Sequence, residues 1–236
     1  MSRFGTVEYE VKDEIAIMTM DEEAQLNALS PGITEGLSKG FDEVERDDDV
    51  WLVILTGKGR SFCAGADIRG LRLEDPVAVK RFMHKVLVET LSRVERVSKP
   101  IIAAVNGLAL GRGLELAISC DIIIAPDKAQ FGVPEARLGL VPGFAIVRLH
   151  ELVGRHKAKE LIMTTETISA QEALRIGMVN KVVPHEKLME ETVVMARRIM
   201  EHPKLTIWFA KSAVNRQIYT GGDEIAYATD AVLTSS

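Results

Sequence analysis

The sequence predicts an α/β fold. Trp51–Leu55, Ile101–Val105 and Ile122–Ala125 are short, unbroken apolar runs of the kind found in strands covered on both faces, and each leads into a loop of small residues. A long amphipathic stretch separates the first two runs, as expected of a helix crossing between strands. With 236 residues, 47% of them hydrophobic, the chain can bury one sizeable core carrying appendages.

Val7–Val11 and Ile15–Met20 flank the turn-like Lys12-Asp13-Glu14 and read as a hairpin. Ser30-Pro31 places a capping hydroxyl before a first-turn proline, and Ile33, Leu37, Phe41 and Val44 then share a face, which predicts a helix to about Arg46. Asp47-Asp48-Asp49 is a solvated loop before the first apolar strand. A helix from about Pro76 to Val97, closed by Ser98-Lys99-Pro100, precedes the second. Ser169 and Glu172 form a capping box, Gly177 ends that helix, Val179–Val183 is a short strand, and the remainder reads as mainly helical. No low-complexity linker divides the chain; a boundary near Pro184 separates a core, 1–184, from a helical C-terminal region, 185–236.

Composition excludes several classes. The net charge is -5 and the basic residues are scattered, so no surface is expected to attract nucleic acid. Cys63 and Cys120 lie far apart, which fits a reducing compartment and a role as small buried hydrophobes. The N-terminus lacks a signal-peptide core and no apolar run nears the ~20 residues that span a bilayer, so no membrane partner is expected and the cytoplasm is the expected location. No His-Glu-x-x-His, phosphate loop or nucleophile elbow occurs, and the five histidines show no ligand spacing. Neither a metal nor a redox cofactor is expected.

The candidate chemistry lies in the loops. Leu55 is followed by Thr56–Ile68, where small residues let a ligand approach the backbone. Val105 is followed by Asn106–Gly113, opening a helix whose first amides would face a developing negative charge. Glu115 stands in the first turn of that otherwise apolar helix, and Glu135 stands alone among apolar and glycine residues after Phe131-Gly132-Val133-Pro134. Two such carboxylates can be driven to different pKa values and divide acid from base work. Structural roles stay open for both: Glu115 favouring the helix dipole, Glu135 capping a turn.

Five stretches resemble the crotonases, the enoyl-CoA hydratase/isomerase superfamily. They are Leu26–Leu29, Ser61–Ile68, Lys99–Gly107, Gly113–Ala117 and Phe131–Glu135, and in order they cover nearly the whole chain. The resemblance implies a spiral of ββα units with C-terminal helices that pack trimers, often paired into hexamers. It implies an oxyanion hole from the amides of Ala64 and Arg112, and a coenzyme A site along Ala64, Gly65, Ala66, Asp67 and Ile68. It further implies that Glu115 and Glu135 are catalytic, that Gly143 helps hold a water, and that hydration of a 2-enoyl-CoA is the reaction. Coenzyme A would then be part of the substrate. Isomerisation, thioester hydrolysis and non-catalytic acyl-CoA or RNA binding are the alternatives such a fold also hosts. The chain departs from the family pattern at Arg112, where glycine is usual, and that side chain is expected to leave the pocket for a surface carboxylate. Residues 142–149 are a residue short, and a further C-terminal helix usual in the family is expected to be missing.

Overall fold

A computed structural model describes residues 2–69 and 90–220 together with Val77 and Val86, the side chains of 216–220 excepted. Strands β1 (Ser2–Phe4), β2 (Val7–Lys12) and β3 (Ile15–Met20) form an antiparallel meander. Asp13 and Glu14 join β2 to β3 with φ of 50° and 63°, the two positive values that a tight hairpin turn requires. Helix α1 (Pro31–Arg46) starts where Ser30 Oγ accepts the Ile33 N–H at 3.1 Å, and it buries Ile33, Leu37, Phe41 and Val44.

The chain then winds between two sheets. Strands β4 (Leu52–Gly57), β6 (Ile101–Ala104) and β8 (Ile122–Pro126) lie side by side, parallel, in the larger sheet. Each is followed by a three-residue strand of the smaller sheet: β5 (Ser61–Cys63), β7 (Leu108–Leu110) and β9 (Gln130–Gly132). Helix α2 (Ser92–Arg96) precedes β6, and α3 (Arg112–Ile118) follows β7. Beyond β9 come α4 (Ala145–Val153), α5 (Arg155–Thr164), β10 (Thr167–Ser169), α6 (Ala170–Arg175), β11 (Lys181–Val183), α7 (Leu188–Met200) and α8 (Lys204–Thr220). The larger sheet runs β1-β2-β3-β4-β6-β8-β11 and the smaller β10-β9-β7-β5. The repeated passage from one sheet to the other, with a helix returning the chain, is the expected α/β spiral of ββα units.

Alternate residues of the larger sheet serve two cores, which explains why its strands are apolar throughout. Val53, Leu55, Ala103 and Ile123 face α1 and the smaller sheet, whereas Leu52, Ile54, Ile102 and Ile124 pack against Leu188 and Ala196 of α7. One difference from the sequence reading stands out. The segments read as loops after β4, β6 and β8 contain β5, β7 and β9, too short for a period of two to show. The helix expected from Pro76 falls mostly outside the described residues, with Ser92–Arg96 helical. The part of the helical C-terminal region that covers 221–236 also lies outside them.

Candidate active site

The turn after β5 is fastened first. Asn27 is fully buried at φ 54°; its Nδ2 donates to the carbonyls of Lys58 and Ser61 at 2.9 and 2.7 Å, and its Oδ1 accepts from the Glu22 N–H at 2.9 Å. Beside it the Leu29 N–H donates to Gly65 O at 2.8 Å and the Asp67 N–H to Leu29 O at 3.4 Å. The Ala64 N–H donates to Leu26 O at 3.0 Å. This corrects the expectation that Ala64 supplies an oxyanion donor, because that amide is already committed to a carbonyl. Among the described residues no backbone carbonyl accepts from Ala66, two positions on, which is half-buried. Asp67 turns its carboxylate to Arg69, whose hydrogen bonds hold it below the usual range, and Ile68 is half-buried.

Gly113 brings α3 against this turn. A Cβ there would lie closer than 3.0 Å to the carbonyl of Cys63, so only glycine permits the approach. Gly111 ties in the third loop: its N–H donates to Gly132 O at 2.9 Å, its φ is 53°, and a Cβ on it would stand 3.0 Å from Glu135 Oε1. The three loops therefore converge around Gly111. Arg112 is the first residue of α3, so its amide lies outside the ladder of i→i−4 bonds whose first rung is Glu115 N–H to Gly111 O.

Glu115 and Glu135 sit in contrasting surroundings. Glu115 is fully buried; Oε1 accepts the N–H groups of Phe144 and Ala145, both at 2.8 Å, and Oε2 is ion-paired with the Arg112 guanidinium. The Arg112 side chain, expected to leave for a surface carboxylate, stays inside because the nearest anion is one helical turn away; the residue is 5% exposed. Glu135 lies on a short 3₁₀ turn, Pro134–Leu138, and is 9% exposed, with no hydrogen-bond partner for either oxygen among the described residues. Burial pushes its carboxyl above the usual range and the Glu115 charge adds to this, while its own backbone N–H and the Arg112 guanidinium oppose it. The two acids thus feel one another across the Gly111–Arg112 turn, one clamped and one unpartnered.

Sequence reasoning missed what holds Glu115 in place. Gly143 is half-buried, and the amides that meet Glu115 belong to the next two residues. Behind them Arg148 makes a buried two-pronged pair with Glu95, at 2.8 and 3.2 Å, and lies 5.8 Å from the Phe144 ring. The readable signal was an arginine on the apolar face of α4, four residues after Phe144. Among the described residues no group of three His, Cys, Asp or Glu could hold a metal, and none of their helices is long and apolar enough to cross a membrane. Cys63 is buried with its thiol pushed up to about 12, which removes it as a nucleophile.

A ββα spiral whose converging loops bring together two buried carboxylates defines an α/β protein equipped for acid–base chemistry. The family model for enoyl-CoA hydratase/isomerase matches residues 10–235. The short-chain-enoyl-CoA hydratase of Clostridium acetobutylicum is 42% identical over 212 residues, covering 88% of this chain and 80% of its own. The crotonyl-CoA hydratase of Syntrophomonas wolfei is 40% identical over 217 residues, 91% of this chain and 83% of the relative. The crystal structure of enoyl-CoA hydratase from Bacillus anthracis superposes with a TM-score of 0.90 at 32% identity, covering 97% of this chain and 91% of that one. The chain belongs to the enoyl-CoA hydratase/isomerase family, the crotonases.

Proposed function

We propose that the protein is a hydro-lyase that adds water across the double bond of a 2-enoyl-CoA thioester. The observation that carries this reading is the pairing of a clamped carboxylate, Glu115, with an unpartnered buried one, Glu135. The names of the relatives agree with it. In the reaction the water oxygen bonds to the β-carbon, the double-bond electrons move into the thioester as an enolate, and Glu135 gives its proton to the α-carbon. The proton released by the water restores the carboxyl. Glu115 and the neighbouring Gly143 amide orient the water.

The Arg112 amide is one donor to the enolate oxygen; Ala66 takes the second place in preference to Ala64, whose N–H is engaged. Each preorganised donor is worth roughly 10²–10³ in rate. The Ala64–Ile68 turn lines the coenzyme A site, and coenzyme A enters as part of the substrate, so no separate cofactor is needed. The core of 1–184 carries the site, and the C-terminal region, 185–236, packs the chain into a trimer or hexamer, a reading supported by exposed Leu205, Phe209 and Val214 on α8. Two unpaired cysteines support a cytoplasmic location.

Incubation with a panel of 2-enoyl-CoA thioesters tests the reaction by product mass. A gain of one water is expected. Isomerised product of unchanged mass, free coenzyme A, or binding without turnover would each point to a different activity.

A further inference from the structure

The Glu115 carboxylate offers about four acceptor directions. Two amides occupy Oε1, and the Arg112 guanidinium occupies one side of Oε2. The remaining direction on Oε2 has no partner among the described residues. The Arg112 guanidinium on Oε2 and the Phe144 and Ala145 amides on Oε1 together fix where the carboxylate points. Glu135 has no such bond to lose, since neither of its oxygens has a partner among the described residues. The two acids are therefore held unequally before substrate arrives.

We propose that the Arg112 side chain is a positioning residue for the reaction: it fixes the Glu115 carboxylate in the orientation that meets the attacking water, while Glu135 carries the proton as proposed above. This rests on hydration as proposed above. Arg112 thereby serves twice, its amide toward the thioester oxygen and its side chain toward the water.

The test compares wild type, Arg112→Gln and Arg112→Lys in two assays: hydration of a short 2-enoyl-CoA, and exchange of the α-hydrogen of a saturated acyl-CoA with deuterium oxide. Exchange needs the enolate and Glu135 but no oriented water. Arg112→Gln is expected to lower the kcat of hydration by about tenfold or more at nearly constant KM, with exchange kept within about threefold, and Arg112→Lys to recover part of the loss. Equal losses in both assays would make Arg112 merely structural, and undiminished hydration, or a rise in KM alone, would equally overturn the proposal. Should Arg112→Gln not fold, the lysine variant decides by the same pair of rates. A wild type that does not hydrate defeats the hydration reading and this inference with it, whereas hydrating wild type with an unaffected variant defeats this inference alone.

Discussion

The Phe144 N–H donates to Glu115 Oε1 at 2.8 Å, and this bond couples the start of α4 to helix α3. The geometry of Glu115 is consequently set from two directions: by its own helix through Arg112, and by α4 through two amides. Arg148 supports the second of these, since its pair with Glu95 is buried and its guanidinium lies against the Phe144 ring.

Arg148→Met is therefore expected to act at two levels. Breaking the buried Arg148–Glu95 pair costs up to about 3–5 kcal/mol. Loosening Phe144 also lowers turnover in the protein that remains folded. Urea unfolding measures the first effect, and the rate per folded molecule the second. Wild-type values for both would show that α4 is held by other means.

Gly113→Ala should be worse than an ordinary glycine substitution. The new methyl meets the Cys63 carbonyl, which is backbone and cannot swing aside. The cost should reach or exceed the ~1–3 kcal/mol typical of overpacking, and α3 must back away from the Ala64–Asp67 turn. An unchanged unfolding midpoint would contradict the close approach.

Glu135 links function to stability through pH. Its folded-state pKa is raised by burial, so between the unfolded value of about 4.3 and the folded one the native chain keeps a proton that the unfolded chain has released. Stability is lost as pH rises through that window. Glu135→Gln cannot ionise and should melt above wild type at neutral pH, the difference closing as pH falls toward 4. A variant that melts lower at neutral pH would mean that the carboxylate is not penalised by burial.

Much of this was legible in the residues, and the rest was hidden for identifiable reasons. Leu52–Leu55 announced a strand because both of its faces are buried, and Ser30-Pro31 announced a helix start because capping is local. Strands β5, β7 and β9 are three residues each and rich in small side chains, so they carried no period. Ala64 was misassigned because its engagement with Leu26 O depends on two segments meeting in space. The spacing of Arg112 and Glu115 matches a helical i, i+3 pair, ordinarily a surface device; only burial of both makes it part of the site.

The most direct measurement is the hydration rate of wild type beside Glu115→Gln, Glu135→Gln and the double variant on one short 2-enoyl-CoA. Two acids working as a unit predict that each single change lowers kcat by about 10² or more, and that combining them adds little further. Either single variant hydrating at the wild-type rate would contradict the account.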